Sequence, residues 1–227
     1  MIVRTGLVKN KIMKRIYSFS LALFFAFTCT AQAEFGIFAG PHATTARYTI
    51  QNVKQSNEFK FGFHAGAGYK IAFENKLYFS PAISYSLLGY KVVFNRPSFP
   101  PDLLAKNNNT TFHEVDVDLL LQYDFGNQPG HFFIKAGPSF NFVLSGNEKF
   151  DLITGGHVDR KMKYGLTSHY GRYLVSLLAD LGYETAGGFF ISAHYVHGLG
   201  TMNNVTDGPG IFNRTIGITF GKYFRSK

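Results

Sequence analysis

The stretch FKFGFHAGAGYKIAF, running from Phe59 to Phe73, alternates at every position. Phe59, Phe61, Phe63, Ala65, Ala67, Tyr69, Ile71 and Phe73 fall on one side, with Lys60, Gly62, His64, Gly66, Gly68, Lys70 and Ala72 between them. Successive side chains of a strand point to opposite faces, so this segment has one apolar, aromatic face and one small or polar face. Val115, Val117, Leu119, Leu121, Tyr123 and Phe125 repeat the pattern against Glu114, Asp116, Asp118, Leu120, Gln122 and Asp124. Phe132, Ile134, Ala136, Pro138, Phe140, Phe142 and Leu144 repeat it again. Beyond residue 33 no stretch of comparable length follows a helical period.

Working outward, eight such runs are read at about 35–50, 58–73, 77–94, 112–125, 131–145, 169–184, 188–201 and 211–224. The links between them alternate in length. Those at 51–57, 95–111, 146–168 and 202–210 are long, and those at 74–76, 126–130 and 185–187 are tight turns rich in Asn, Gly, Pro and Lys. A sandwich has no reason to gather every long link at one end. An outer-membrane barrel does, because its periplasmic turns are short and its external loops long. The expected fold class is therefore all-β, an eight-stranded antiparallel up-and-down transmembrane β-barrel. A soluble, lipocalin-like barrel is the alternative, and it would have to hide the aromatic face inside. The lumen of eight strands holds only a modest set of side chains, and the apolar set is too bulky for it. Turning that face to lipid removes the mismatch, and closure satisfies the backbone polar groups that hydrocarbon cannot. Several runs exceed the roughly 9–11 residues that cross a bilayer, so strands should project beyond it. Tyr48, Tyr69, Tyr78, Tyr90, Tyr123, Tyr183, Tyr195 and Tyr223 lie mostly toward run ends, where amphipathic rings suit the interface.

The N-terminus reads as an export signal. Residues 13–33, MKRIYSFSLALFFAFTCTAQA, have a basic start, a short apolar run and a small-x-small end at Ala31-Gln32-Ala33. The apolar run is too short to span a membrane as a helix. The expectation is a signal peptide over 1–33, cleaved before Glu34, and one barrel domain over 34–227. Met13 is an alternative start, and a lipoprotein signal at Cys29 lacks the small residue expected just before the cysteine. The full chain carries a formal charge of +9. Without residues 1–33 it keeps 18 basic and 14 acidic residues, a net of +4, and no cysteine. Nucleic-acid binding needs a clustered basic face, and these charges are scattered. Disulfides and thiolate metal sites are excluded as well.

The polar face supplies the candidate site. Lys70, Glu114, Asp116, Asp118, Lys135, Arg172 and Asp180 are expected to point into the lumen, along with Asp124 and Glu184, and to pair there as a polar plug. Glu114, Asp116 and Asp118 put three carboxylates on one face, with Arg172 or Lys135 as the expected partners. No loop carries an EF-hand pattern. His194 and His197 invite comparison with surface lipid-modifying enzymes, yet Gly198-Leu199-Gly200-Thr201 offers no adjacent serine to complete a nucleophile and base. No catalytic, cofactor-binding or metal-ligating residue is expected. The expected partners are outer-membrane lipid, the barrel-assembly machinery during biogenesis, and a protein partner reached through the long links 95–111 and 146–168.

Five short pieces carry a resemblance. They are Phe35-Gly36-Ile37-Phe38-Ala39-Gly40-Pro41, Gly62-Phe63-His64-Ala65-Gly66, Leu77-Tyr78-Phe79-Ser80-Pro81-Ala82-Ile83-Ser84-Tyr85, Phe133-Ile134-Lys135-Ala136-Gly137-Pro138, and His194-Tyr195-Val196-His197-Gly198-Leu199. Together they resemble the PorT-like outer-membrane β-barrel family of Bacteroidetes. The resemblance implies an outer-membrane barrel, and for the named member of that family a tie to type IX protein secretion. No residue motif transfers that role, since fold does not specify function. One departure is the end of the chain, where Tyr223-Phe224 is followed by Arg225-Ser226-Lys227. The expected function is a structural, accessory or partner-binding barrel, linked to protein secretion by the resemblance. A small porin-like channel is the alternative, followed by a lipid-modifying enzyme.

Overall fold

Alternation of this length commits the chain to strands. The computed structural model describes residues 33–95, 104–165, 168–206 and 208–224. The strands are β1 (Ala33–Ile50), β2 (Val53–Lys54), β3 (Ser56–Glu58), β4 (Lys60–Glu74), β5 (Leu77–Val93), β6 (Asn107–Phe125), β7 (His131–Asp151), β8 (His157–Lys161), β9 (Tyr173–Glu184), β10 (Phe189–Gly198) and β11 (Gly210–Phe224). Their order in the sheet is β11-β10-β9-β7-β6-β5-β4-β1, and β1 also pairs with β11 from Phe35 opposite Phe224 to Thr49 opposite Gly210. Eight antiparallel strands thus close into a ring. The other three strands are short and lie off it: β2 folds back on β1, β3 pairs with β5, and β8 pairs with β7. They occupy parts of the expected long links 51–57 and 146–168. The expected signal peptide (all but Ala33), the stretch Arg96–Pro101 and the terminal residues Arg225–Lys227 lie outside the described residues.

The tight turns sit where the sequence places them. Asn75, with φ of 50°, joins β4 to β5, and Gly126, with φ of 87°, starts the β6–β7 turn. Asn tolerates this left-handed region better than most residues, and Gly enters it without steric cost.

The outer face is an apolar belt. Along β6 it runs from Val115 to Phe125, and on β11 it comprises Ile216, Ile218, Phe220 and Phe224. Phe61 is 87%, Phe132 62% and Leu181 58% exposed, on three different strands of the ring. An apolar surface of this extent is unsuited to water and suited to hydrocarbon. Above Val115 the outward residues of β6 are Asn109, Thr111 and His113, so the belt matches the length of strand that crosses a bilayer.

The inner face changes character along the same strands. On β1, Phe35 and Ile37 point outward at the turn end, whereas Tyr48 and Ile50 point inward at the opposite, loop end. There they pack with Tyr90 and Val92 of β5, Phe112 of β6 and Ile211 of β11. Met162, Tyr170 and Met202, supplied by the links, join this core. Past the belt the ring is therefore built like a soluble barrel, apolar within and polar without, because the surroundings change from lipid to water. Tyr48, Tyr90 and Tyr223, expected among the interfacial rings, are buried inside.

A bulge adjusts β7 to this change. The β6–β7 register shifts between His113 and Glu114, where Leu144 and Ser145 are both exposed. Below it the odd positions from Phe133 to Val143 face inward; above it Glu148 and Phe150 do. Bulges re-aim side chains in this way.

Candidate functional site

Inward-facing residues fill the lumen below the loop-end core in two clusters. At the turn end, Lys70 of β4 stands opposite the ends of β6 and β9. Its Nζ is 2.6 Å from Asp124 Oδ2 and 2.8 Å from Glu184 Oε2, and it lies 4.5 Å over the Tyr78 ring. His131, the first residue of β7, brings Nε2 to 3.0 Å from the same Asp124 oxygen and 3.5 Å from Glu184 Oε2, at ion-pair distance but without hydrogen-bond alignment. Phe133, Phe190 and Tyr223 close the lumen beside it, with Phe38 packed against them. Lys135 Nζ donates to Tyr223 Oη at 2.9 Å and lies 4.9 Å over Phe133 and 5.0 Å over Phe190.

Between this seal and the loop-end core is a cavity of about 100 Å³, enough for several waters. One wall comes from β6 and β7. Asp116 accepts from Ser86 Oγ at 2.6 Å and from Asn141 Nδ2 at 2.7 Å, while Asn141 Oδ1 accepts from Ser176 Oγ at 2.8 Å. Glu114 Oε2, Asp118 Oδ1 and Asp180 Oδ1 are buried with no hydrogen-bond partner among the described residues.

The opposite wall carries His42 of β1, His64 of β4 and His194 of β10. Gly217 of β11 lies between β1 and β10, in register with both His42 and His194. A Cβ there would fall 2.6 Å from His42 Cβ and from His194 Cε1, so only glycine lets the rings meet over that strand. The centroids of His64 and His194 are 4.8 Å apart, and those of His42 and His64 are 5.5 Å apart. Thr219 Oγ1 bridges His64 Nε2 at 3.1 Å and His194 Nδ1 at 3.0 Å, and His42 Nε2 donates to the Leu87 carbonyl at 2.9 Å.

A polar network extends the barrel at the loop end. Glu148 accepts from Arg160 Nε and from Tyr170 Oη, each at 2.7 Å, among apolar neighbours. On the outside of the β7–β8 hairpin, Lys149 lies 2.7 Å from Asp159 and, with Asn147, holds its carboxyl below the usual range.

A closed antiparallel ring with a lipid-facing belt and a polar lumen has counterparts. A family model described as outer membrane protein beta-barrel domain matches residues 20–204. The chain belongs to that family. No curated protein matches this outer-membrane barrel. Among solved structures it is similar to Neisserial surface protein A, with 16% identity and a TM-score of 0.44 over 85% of this chain and 99% of that one. It is similar to Ail, the attachment invasion locus protein of Yersinia pestis, here in complex with the heparin analogue sucrose octasulfate, at the same identity, coverage and TM-score. OprG of Pseudomonas aeruginosa is 11% identical, with a TM-score of 0.46 over 86% of this chain and 98% of that one.

Six of the residues expected in the lumen of this outer-membrane barrel are buried there: Lys70, Glu114, Asp116, Asp118, Lys135 and Asp180. They form two clusters instead of one plug. Lys70 pairs with Asp124 and Glu184, and the others line the cavity. Arg172 corrects the expectation. It is exposed, just before β9, and touches the ring through its backbone carbonyl, which accepts from Val143 N at 2.9 Å. Its run begins at Tyr173 and not at 169, which leaves Arg172 in a link, free of the inward parity. Among the described residues, no ion pair within 4.0 Å joins the acidic row to Arg172 or Lys135. Ser86 and Asn141 take that place for Asp116, because short polar side chains fit a narrow lumen where a second long cation does not. His194 and His197 also separate: His194 points in, and His197 lies outside beside Tyr195. His42, His64, His131 and Thr219 are lumen residues that sequence reasoning missed. The only signal was their inward parity, since they lie on different strands and share no local spacing.

Proposed function

We propose that this protein is a non-conducting outer-membrane barrel that holds a rigid β-extension at the cell surface for a protein partner. The observation that carries the reading is obstruction at both ends of the lumen. Tyr48, Tyr90, Phe112 and Met202 fill the loop end, and the Lys70–Asp124–Glu184 network with Phe133, Phe190 and Tyr223 fills the turn end. Strands β5 to β8 meanwhile continue past the apolar belt. Asn107 donates to Asp151 at 2.8 Å, and Lys149 pairs with Asp159, so the extension is a paired sheet and not a set of loops. With the long links facing outward, as in barrels of this kind, that sheet faces the medium. Elements already ordered lose less entropy on binding, which suits a partner-contact role. The PorT-like resemblance supports an accessory task in protein secretion.

Single-channel recording in planar bilayers tests this. The folded protein should insert without a steady conductance. A stable open level would overturn the proposal in favour of a small pore, and opening on replacement of Tyr90 and Phe112 by Ala would locate the seal.

A further inference from the structure

We infer that His42, His64 and His194 form a three-imidazole site for a divalent transition metal of the zinc class inside the barrel. One nitrogen of each lies within 4.8 Å of one from each of the others, and all three rings are buried. Nitrogens on one tetrahedral zinc ion stand about 3.4 Å apart, with bonds of about 2.0–2.1 Å, so small ring rotations bring the trio into range.

Three further observations point to a cation. The first is that one nitrogen of each ring is held by an oxygen, which leaves the second nitrogen of each available. His42 Nε2 faces the Leu87 carbonyl, and His64 Nε2 and His194 Nδ1 face Thr219 Oγ1. Metal-binding histidines characteristically give their second nitrogen to a carbonyl or hydroxyl oxygen, which orients the ring and frees the first. The second is His64 Nδ1, which is buried with no hydrogen-bond partner among the described residues. A buried polar atom in that state is costly unless something occupies the space before it. The third is charge. Glu114, Asp116, Asp118 and Asp180 line the same cavity, with Lys135 as its ammonium. None of the four carboxyls is in an ion pair among the described residues. A dication on the imidazole wall would be a counter-charge to these carboxyls when ionised. Imidazole ligands suit Zn²⁺, Cu²⁺ and Ni²⁺ and disfavour Ca²⁺ and Mg²⁺. The cavity leaves the fourth position of such an ion to water.

The test is cobalt(II) binding to the full chain folded in detergent, with folding checked by heat-modifiable gel mobility. One equivalent should bind, displaceable by zinc, with the intense visible absorption of a four-coordinate site. His64→Gln and His194→Gln should each abolish that absorption while still folding, and His197→Gln, outside the barrel, should leave it unchanged. Thr219→Val, which removes the hydroxyl orienting two rings, should weaken binding roughly 10–100-fold. Should the histidine variants fail to fold, X-ray absorption on the cobalt-loaded native chain decides: three imidazoles support the site, and fewer than two overturn it. A folded native chain that takes up no cobalt overturns it, as does uptake retained by a folded chain carrying both His64→Gln and His194→Gln.

Discussion

Two clusters in one lumen each bring one donor atom from three histidine or carboxylate side chains within 4.8 Å of one another, and they differ in what stands beside them. At the turn end, Lys70 is ion-paired with Asp124 and Glu184, the same two carboxylates that His131 approaches. Across the cavity, among the described residues, His42, His64 and His194 have no side-chain cation among them, and the one ammonium lining that space, Lys135, is turned to Tyr223 and the aromatic seal. A tethered ammonium leaves the first cluster complete within the chain. The second is three imidazoles facing four carboxyls across one cavity. A narrow lumen can thus be closed structurally at one level and remain open to a ligand at the next.

The comparison can be broken most forcefully at Lys70. Lys70→Met should lower stability by about 3–5 kcal/mol, because it leaves buried carboxylates without their cation. Urea titration followed by gel mobility measures this. Zinc should then recover more of the loss than it adds to the native chain, since the variant exposes a second ligand set. If zinc recovers nothing, the two clusters are not related as described. Gly217→Ala comes next. Its Cβ would collide with the His194 ring and with Cβ of His42, so it should cost about 1–3 kcal/mol and markedly weaken cobalt binding, with the Lys70 network intact. An unchanged affinity would show that the rings do not need that close approach. The smallest change is His131→Gln, worth about 1 kcal/mol, as Lys70 remains the principal partner of both carboxylates. A loss as large as that of Lys70→Met would make His131 the organising cation instead.

Much of the ring was legible because lipid enforces the alternation. Val115 to Phe125 and Phe132 to Leu144 each keep strict period two where one face meets hydrocarbon, and their ends mark the belt closely. The extension was not legible. Asn109 to Thr111 carries no apolar alternation, yet it pairs with β7 because water on the outside removes the demand for apolar side chains there. The bulge at Leu144–Ser145 also breaks the parity of β7, so Glu148 and Phe150 turn inward against the earlier rhythm. Of the candidate site, the inward carboxylates and both lysines followed from parity. Arg172 did not follow it, lying one residue before its strand.

By itself, the sequence determined an all-β chain, an alternating apolar face, short turns at one end and the polar residues available to the interior. Those properties depend on neighbours one or two positions apart. Tertiary structure alone decided which polar residues meet. His42 and His194 are 152 positions apart in the chain, and they are brought to either side of Gly217 by closure of β1 onto β11. The join between first and last strand, together with the register it imposes, is a property of the ring as a whole. No local pattern encodes it.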